Sequence, residues 1–125
     1  MIHLDTNWLI GLTVAGSPQG KRVDGWLAAG ESLAASAIAW TEFVNGPVQP
    51  GEVALVECIL ESRIVPFDKA TAVLAAELFN RTGRRRGSRF DCLIAATAMR
   101  EQADFATDNR NDFVPFVAHG LSLLD

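Results

Sequence analysis

The sequence is poor in the residues that build soft-metal and disulfide sites. It has two cysteines, Cys58 and Cys92, and two histidines, His3 and His119. No C-x-x-C or Cys/His spacing is present, which excludes a zinc site and a disulfide framework. Both cysteines lie inside apolar runs and read as reduced core thiols. His3 falls in a strand and His119 in a late loop, so both read as structural or solvent-facing. No long uncharged apolar run has the composition of a membrane span. The longest, between Glu31 and Glu52, is interrupted by Asn45, Gly46, Pro47 and Pro50. Asp5 breaks the N-terminal apolar stretch, so no signal peptide is expected and a cytoplasmic protein is implied. There is no G-x-S-x-G, no G-x-x-x-x-G-K and no G-x-G-x-x-G. Internal repeats and low-complexity tracts are missing too.

Basic charge is also scarce, with a formal net charge of −4 that argues against a broadly cationic nucleic-acid surface. Its distribution qualifies that conclusion. Arg81, Arg84, Arg85, Arg86 and Arg89 crowd into one short segment, and such a patch can engage phosphates locally.

What is present suits one compact domain over residues 1–125, with 49% hydrophobic residues to fill a core. Ile2 to Asp5 reads as a buried strand and Thr6 to Val14 as a helix capped by Thr6 or Asp5. Pro18 opens a helix to about Ala29. Ser32 to Ser36 is a second strand, and Ala37 to Val44 a helix stopped by Asn45-Gly46-Pro47. Val53, Val56 and Leu60 give Glu52 to Glu61 a helical period. Arg63 to Phe67 is a third strand, and an Asp68-capped helix runs through Phe79. After the arginine-rich loop Arg81 to Arg89, Ser88 caps a helix to Gln102. Asp104 to Thr107 and Leu121 to Leu124 are the last strands. Short apolar strands alternating with helices predict a three-layer α/β/α sandwich around a mostly parallel sheet of about five strands. Ligands of such sheets sit at the carboxyl ends of strands. Asp5 and Asp108 fall there.

Acids placed in apolar surroundings are the main chemical signal. Asp91 is the one charged residue from Phe90 to Met99, in a helix that reads as buried nearly all round. Glu42 is the one charged residue between Glu31 and Glu52, and Asp5 closes an apolar strand. An isolated buried carboxylate costs several kcal/mol unless it finds a partner or a proton. Each acid has an ordinary explanation: a cap for Asp5, a backbone contact for Glu42, the helix dipole for Asp91, a turn for Asp108. Asp112 is similar and the weakest candidate. Taken together, Asp5, Glu42, Asp91 and Asp108 point to a divalent cation. Oxygen ligands without His or Cys select Mg²⁺ or Mn²⁺ over zinc. Trp8, Trp26 and Trp40 read as core residues, not base-stacking platforms.

The runs Leu4-Asp5-Thr6-Asn7, Ser36 through Thr41-Glu42, Phe90-Asp91-Cys92-Leu93-Ile94-Ala95-Ala96-Thr97-Ala98 and Ala106-Thr107-Asp108-Asn109-Arg110-Asn111-Asp112-Phe113 resemble PIN domains. They look most like the VapC toxins of VapBC toxin–antitoxin pairs, and the likeness spans nearly the whole chain. The resemblance implies an endoribonuclease dependent on Mg²⁺ or Mn²⁺, often dimeric, restrained by a protein antitoxin. It implies Asp5 and Asp91 as principal metal ligands, with Glu42 and Asp108 completing the catalytic acidic site. Thr107 would orient a carboxylate or bound water, and Thr6 and Asn7 would support Asp5. Asp112 matches an extra acid of many members. Arg84, Arg85, Arg86 and Arg89 become candidate contacts to phosphate or antitoxin. The segment before Asp91 departs from the Gly-Arg turn common in the family. Other classes fit less well. A haloacid-type phosphatase wants Asp where Asn7 stands, and a receiver-like domain wants paired acids after strand one and a late lysine. The alternative within the resemblance is a catalytically silent PIN-like module that binds RNA or protein.

Overall fold

A computed structural model describes all 125 residues. In chain order it contains β1 (Ile2–Leu4), α1 (Thr6–Gly11), α2 (Pro18–Ala28), β2 (Leu33–Ser36), α3 (Ala37–Val44), α4 (Pro50–Ile59), β3 (Ile64–Val65), α5 (Lys69–Arg81), α6 (Arg89–Arg100), β4 (Asp104–Ala106), α7 (Arg110–Val117) and β5 (Ser122–Leu123). The strands form one parallel sheet in the order β3-β2-β1-β4-β5. Every residue of β1 and β2 is buried, although successive side chains of a strand point to opposite faces. Both faces of the central strands are therefore covered, which is the three-layer arrangement the alternating pattern predicts.

The chain leaves β1 toward β2 and β3, then returns to β1's other side with β4. That reversal opens a crevice at the carboxyl ends of β1 and β4. Register fixes what faces it: Leu4 pairs with Ala106, and the Asp5 amide donates to the Ala106 carbonyl at 3.0 Å. Asp5 and Thr107 leave their strands side by side. No helix is long and apolar enough to cross a membrane.

Local differences from the sequence reading have physical causes. Ser88 stands at the N-cap of α6, but its hydroxyl donates back to the Arg85 carbonyl at 2.8 Å and leaves the helix amides alone. Cys92 is buried as expected, whereas Cys58 is exposed. Helix α4 turns the face of Val53, Val56 and Leu60 to the core as its spacing predicts, with Val56 and Leu60 fully buried. Helix α7 carries Pro115 in its interior and begins in a polar run, both of which mask it in the sequence. Phe113 and Phe116 anchor it: Phe113 packs 4.7 Å from the Phe105 ring centroid and 5.9 Å from that of Phe116. His3 is buried with both ring nitrogens unpartnered, and burial lowers its pKa to about 4, so it stays neutral. Trp8 is buried and stacks on Trp26 at 5.2 Å.

Candidate functional site

Asp5 is the fixed point of the crevice. It is 5% exposed, and both carboxylate oxygens are engaged. The Thr6 amide donates to Oδ1 at 2.8 Å, and the Thr107 hydroxyl donates to Oδ2 at 2.6 Å. The Thr107 oxygen in turn accepts from the Asn109 amide at 3.0 Å, which sets its hydroxyl toward Asp5. Asp5 does stand at the N-cap of α1, so the ordinary explanation describes its position. It does not account for the burial or for the acids around it. Burial raises the Asp5 pKa, the two hydrogen bonds oppose that, and the Glu42 and Asp108 carboxylates raise it further.

Glu42 reaches the same place from α3, whose start is tied by the Ala39 amide donating to the Ser36 hydroxyl at 3.0 Å. The Thr6 hydroxyl donates to Glu42 Oε1 at 3.0 Å. Thr6 thereby holds two of the acids at once, through its amide and its hydroxyl. The expectation that Glu42 is a core acid is corrected: it is exposed, because α3 buries only Ala39 and Phe43. Its partner, not its burial, marks it.

Asp91 lies in the first turn of α6 and is half-buried. Its pKa is raised to about 6, first by burial, then by the carboxylates of Asp112, Asp5 and Glu42, with the Arg85 guanidinium opposing. Asp112, the weakest sequence candidate, is thus the strongest acidic neighbour of Asp91. Asp108 is exposed and sits at the crevice edge. The Gln19 amide donates to its Oδ2 at 2.7 Å, and its own amide donates to Asn7 Oδ1 at 3.4 Å. Gln19 was not legible as a site residue, since nothing local signals a bond across 89 positions.

None of the four ion pairs in the structure involves Asp5, Glu42, Asp91, Asp108 or Asp112. The crevice therefore gathers uncompensated negative charge on oxygen donors. That is the donor chemistry of a hard divalent cation. No three acids are drawn into a closed ligating group. Asp5 is locked by its two hydrogen bonds, and Glu42 is held beside it by the Thr6 hydroxyl.

Thr107→Val tests how far Asp5 depends on its neighbour. The substitution removes a short bond to a buried carboxylate and keeps the side-chain shape. The Asp5 pKa should rise further, because a donor that favours its charged form is gone. Titration of the Asp5 carboxyl carbon by NMR measures this directly. An unmoved titration would show that the Thr107 bond does not tune the acid.

The family model described as the PIN domain matches residues 2–114. Among solved structures, FitAcB from Neisseria gonorrhoeae is similar with a TM-score of 0.74 at 24% identity, covering 100% of this chain and 97% of that one. VapBC2 from Rickettsia felis, bound to a DNA fragment from its promoter, gives 0.70 at 24% identity over 99% and 98% of the two chains. VapBC-1 from nontypeable Haemophilus influenzae gives 0.70 at 23% identity over 100% and 98%. At such identities the likeness is one of fold. No curated protein matches the sequence.

Proposed function

Because the chain belongs to the PIN-domain family, we propose that it is a divalent-metal-dependent endoribonuclease that hydrolyses RNA phosphodiester bonds. We propose further that it is the toxin of a toxin–antitoxin pair, acting in the cytoplasm as a homodimer and restrained by a protein antitoxin. The observation that carries the first reading is the crevice itself. A buried, doubly hydrogen-bonded Asp5 lies among the Glu42, Asp91 and Asp108 carboxylates, Asp112 acts on Asp91, and none of the five is in an ion pair. The second reading draws on a similar solved structure from Klebsiella pneumoniae that is a toxin–antitoxin complex by name.

Asp5 and Asp91 would hold Mg²⁺ or Mn²⁺, with Glu42 and Asp108 completing the set directly or through water. When bound, such an ion supplies Lewis-acid polarisation of a phosphoryl oxygen and a more acidic water. The chain's own residues do the positioning. Thr107 and the Thr6 amide fix Asp5, and the Thr6 hydroxyl holds Glu42 beside it. The structure adds Asp112 to the acids that act on Asp91.

The test is cleavage of a structured RNA with Mg²⁺, with EDTA, and with Asp91→Asn as control. Cutting that requires both the metal and Asp91 is expected. RNA bound but never cut would favour the silent PIN-like module, and no interaction with RNA would remove the ribonuclease reading altogether.

A further inference from the structure

Arg84, Arg85 and Arg86 part company in the structure. Arg84 adopts φ 52, a left-handed conformation that costs a non-glycine residue about 1–2 kcal/mol. It turns outward, bonding Asn80 and lying 4.9 Å over the Phe79 ring, which Arg89 also covers at 4.3 Å. Arg86 is exposed. Arg85 goes inward. It is half-buried, its guanidinium lies 5.7 Å over the Phe116 ring, and one Nη donates to the Asp112 carbonyl at 3.3 Å. Its Nε is fully buried and has no acceptor.

An arginine drawn inward this way is poorly rewarded by its own fold. A buried donor left unpaired costs about 1–3 kcal/mol, and its one bond is long. The Arg85 guanidinium acts on Asp91 against the neighbouring carboxylates, yet it makes no ion pair with that acid or any other. Three anchors fix it: the Asp112 carbonyl, the Phe116 ring and the strained turn at Arg84. Nη hydrogens on its planar fork are left unused. A crevice of five acids repels an anionic RNA strand, and a fixed guanidinium beside Asp91 offsets part of that repulsion with or without a bound metal ion. We propose that Arg85 is the phosphate-binding residue of this site, taking a non-bridging oxygen of the RNA phosphodiester beside Asp91. Arg84, Arg86 and Arg89 take no part in that contact. The proposal rests on the ribonuclease reading, and it separates one residue from the arginine patch that the sequence presents as a unit.

The 125-residue chain tests it in two assays: steady-state cleavage of an RNA with Mg²⁺, and anisotropy binding of the same RNA in EDTA across a salt series. Arg85→Ala should weaken RNA binding in EDTA about tenfold to a hundredfold, the worth of a charge-assisted bond. It should also lower the salt slope by about one phosphate contact. Arg85→Lys keeps the charge without the fork, so it should recover the slope but not kcat. Arg86→Ala should change affinity less than about threefold, like the exposed Lys69→Ala on α5. Circular dichroism shows whether each variant folds; should Arg85→Ala not fold, Arg85→Lys still decides through kcat. Wild-type affinity, slope and KM in Arg85→Ala, with only a lower Tm, would reduce Arg85 to a latch on α7 and overturn the proposal. Wild-type kcat in Arg85→Lys would overturn the role of the fork. If the wild type binds RNA but never cuts it, the nuclease reading fails while the binding arm still judges Arg85.

Discussion

Asp5→Asn and Asp91→Asn are each expected to lower RNA cleavage on the order of a thousandfold while leaving the fold intact. The size follows from the several kcal/mol of charge stabilisation that a bound divalent ion supplies, since each 1.36 kcal/mol is tenfold in rate. The fold should survive for reasons specific to each position. At position 5 the amide is isosteric with the carboxylate, and its oxygen can still accept from the Thr6 amide. Its NH₂ then meets the Thr107 hydroxyl, which can rotate to accept while keeping the bond from the Asn109 amide. Asp91 is half-buried and forms no ion pair, so the exchange removes repulsion from Asp112, Asp5 and Glu42 without orphaning a cation. Single-turnover cleavage with saturating Mg²⁺, alongside circular dichroism of each variant, measures both halves of this expectation. Near-wild-type cutting by either folded variant would sink the assignment of that acid.

Residues whose environment is set by their own strand or helix were legible; residues defined by contacts across the fold were not. Asp5 could be read because β1 is three residues long and wholly apolar or neutral, so its end is unambiguous. The parallel sheet followed from short buried strands separated by helices. Glu42 reads as a core acid from the composition of α3, and the structure exposes it. A helix as apolar as α3 suggests a buried circumference, yet it fully buries only Ala39 and Phe43, with Ile38 and Trp40 partly covered and Glu42 on the open side, and the same error applies to Cys58 on α4. Helix α7 was missed because a proline and a polar start outweighed two phenylalanines whose value lies in packing against Phe105. With α7 went the weight of Asp112, which only that helix brings near Asp91. Gln19 on Asp108 and Arg85 on the Asp112 carbonyl are long-range pairings, and no periodicity encodes them.

The pH dependence of stability separates a cation site from a helix cap, and its sign follows from Asp91. In the folded state its pKa is about 6, against 3.8 for the ordinary carboxyl. The folded chain therefore holds that proton more tightly than the unfolded one. Stability from this group is fully present below about pH 4 and is lost as pH rises through about 6. Half-burial lets solvent screen the repulsion, so the loss at pH 7 is on the order of 1–2 kcal/mol. The Asp5 pKa is shifted in the same direction and adds to the trend. In EDTA, Asp91→Asn should thus melt with the wild type near pH 4 and above it near pH 7. Mg²⁺ should reverse that order. An ion that binds the folded state stabilises the wild type by about 2.7 kcal/mol at a hundredfold excess over its Kd, and the variant should gain much less. A residue that serves only the dipole of α6 behaves otherwise. Its loss costs about 0.3–1 kcal/mol with or without metal, and the cost grows as pH rises and the lost charge matters more. Thermal melts of both proteins at pH 4 and pH 7, each with EDTA and with excess Mg²⁺, decide between these. If Asp91→Asn is destabilised equally at pH 7 in both conditions, Asp91 serves the dipole of α6 and is not a ligand.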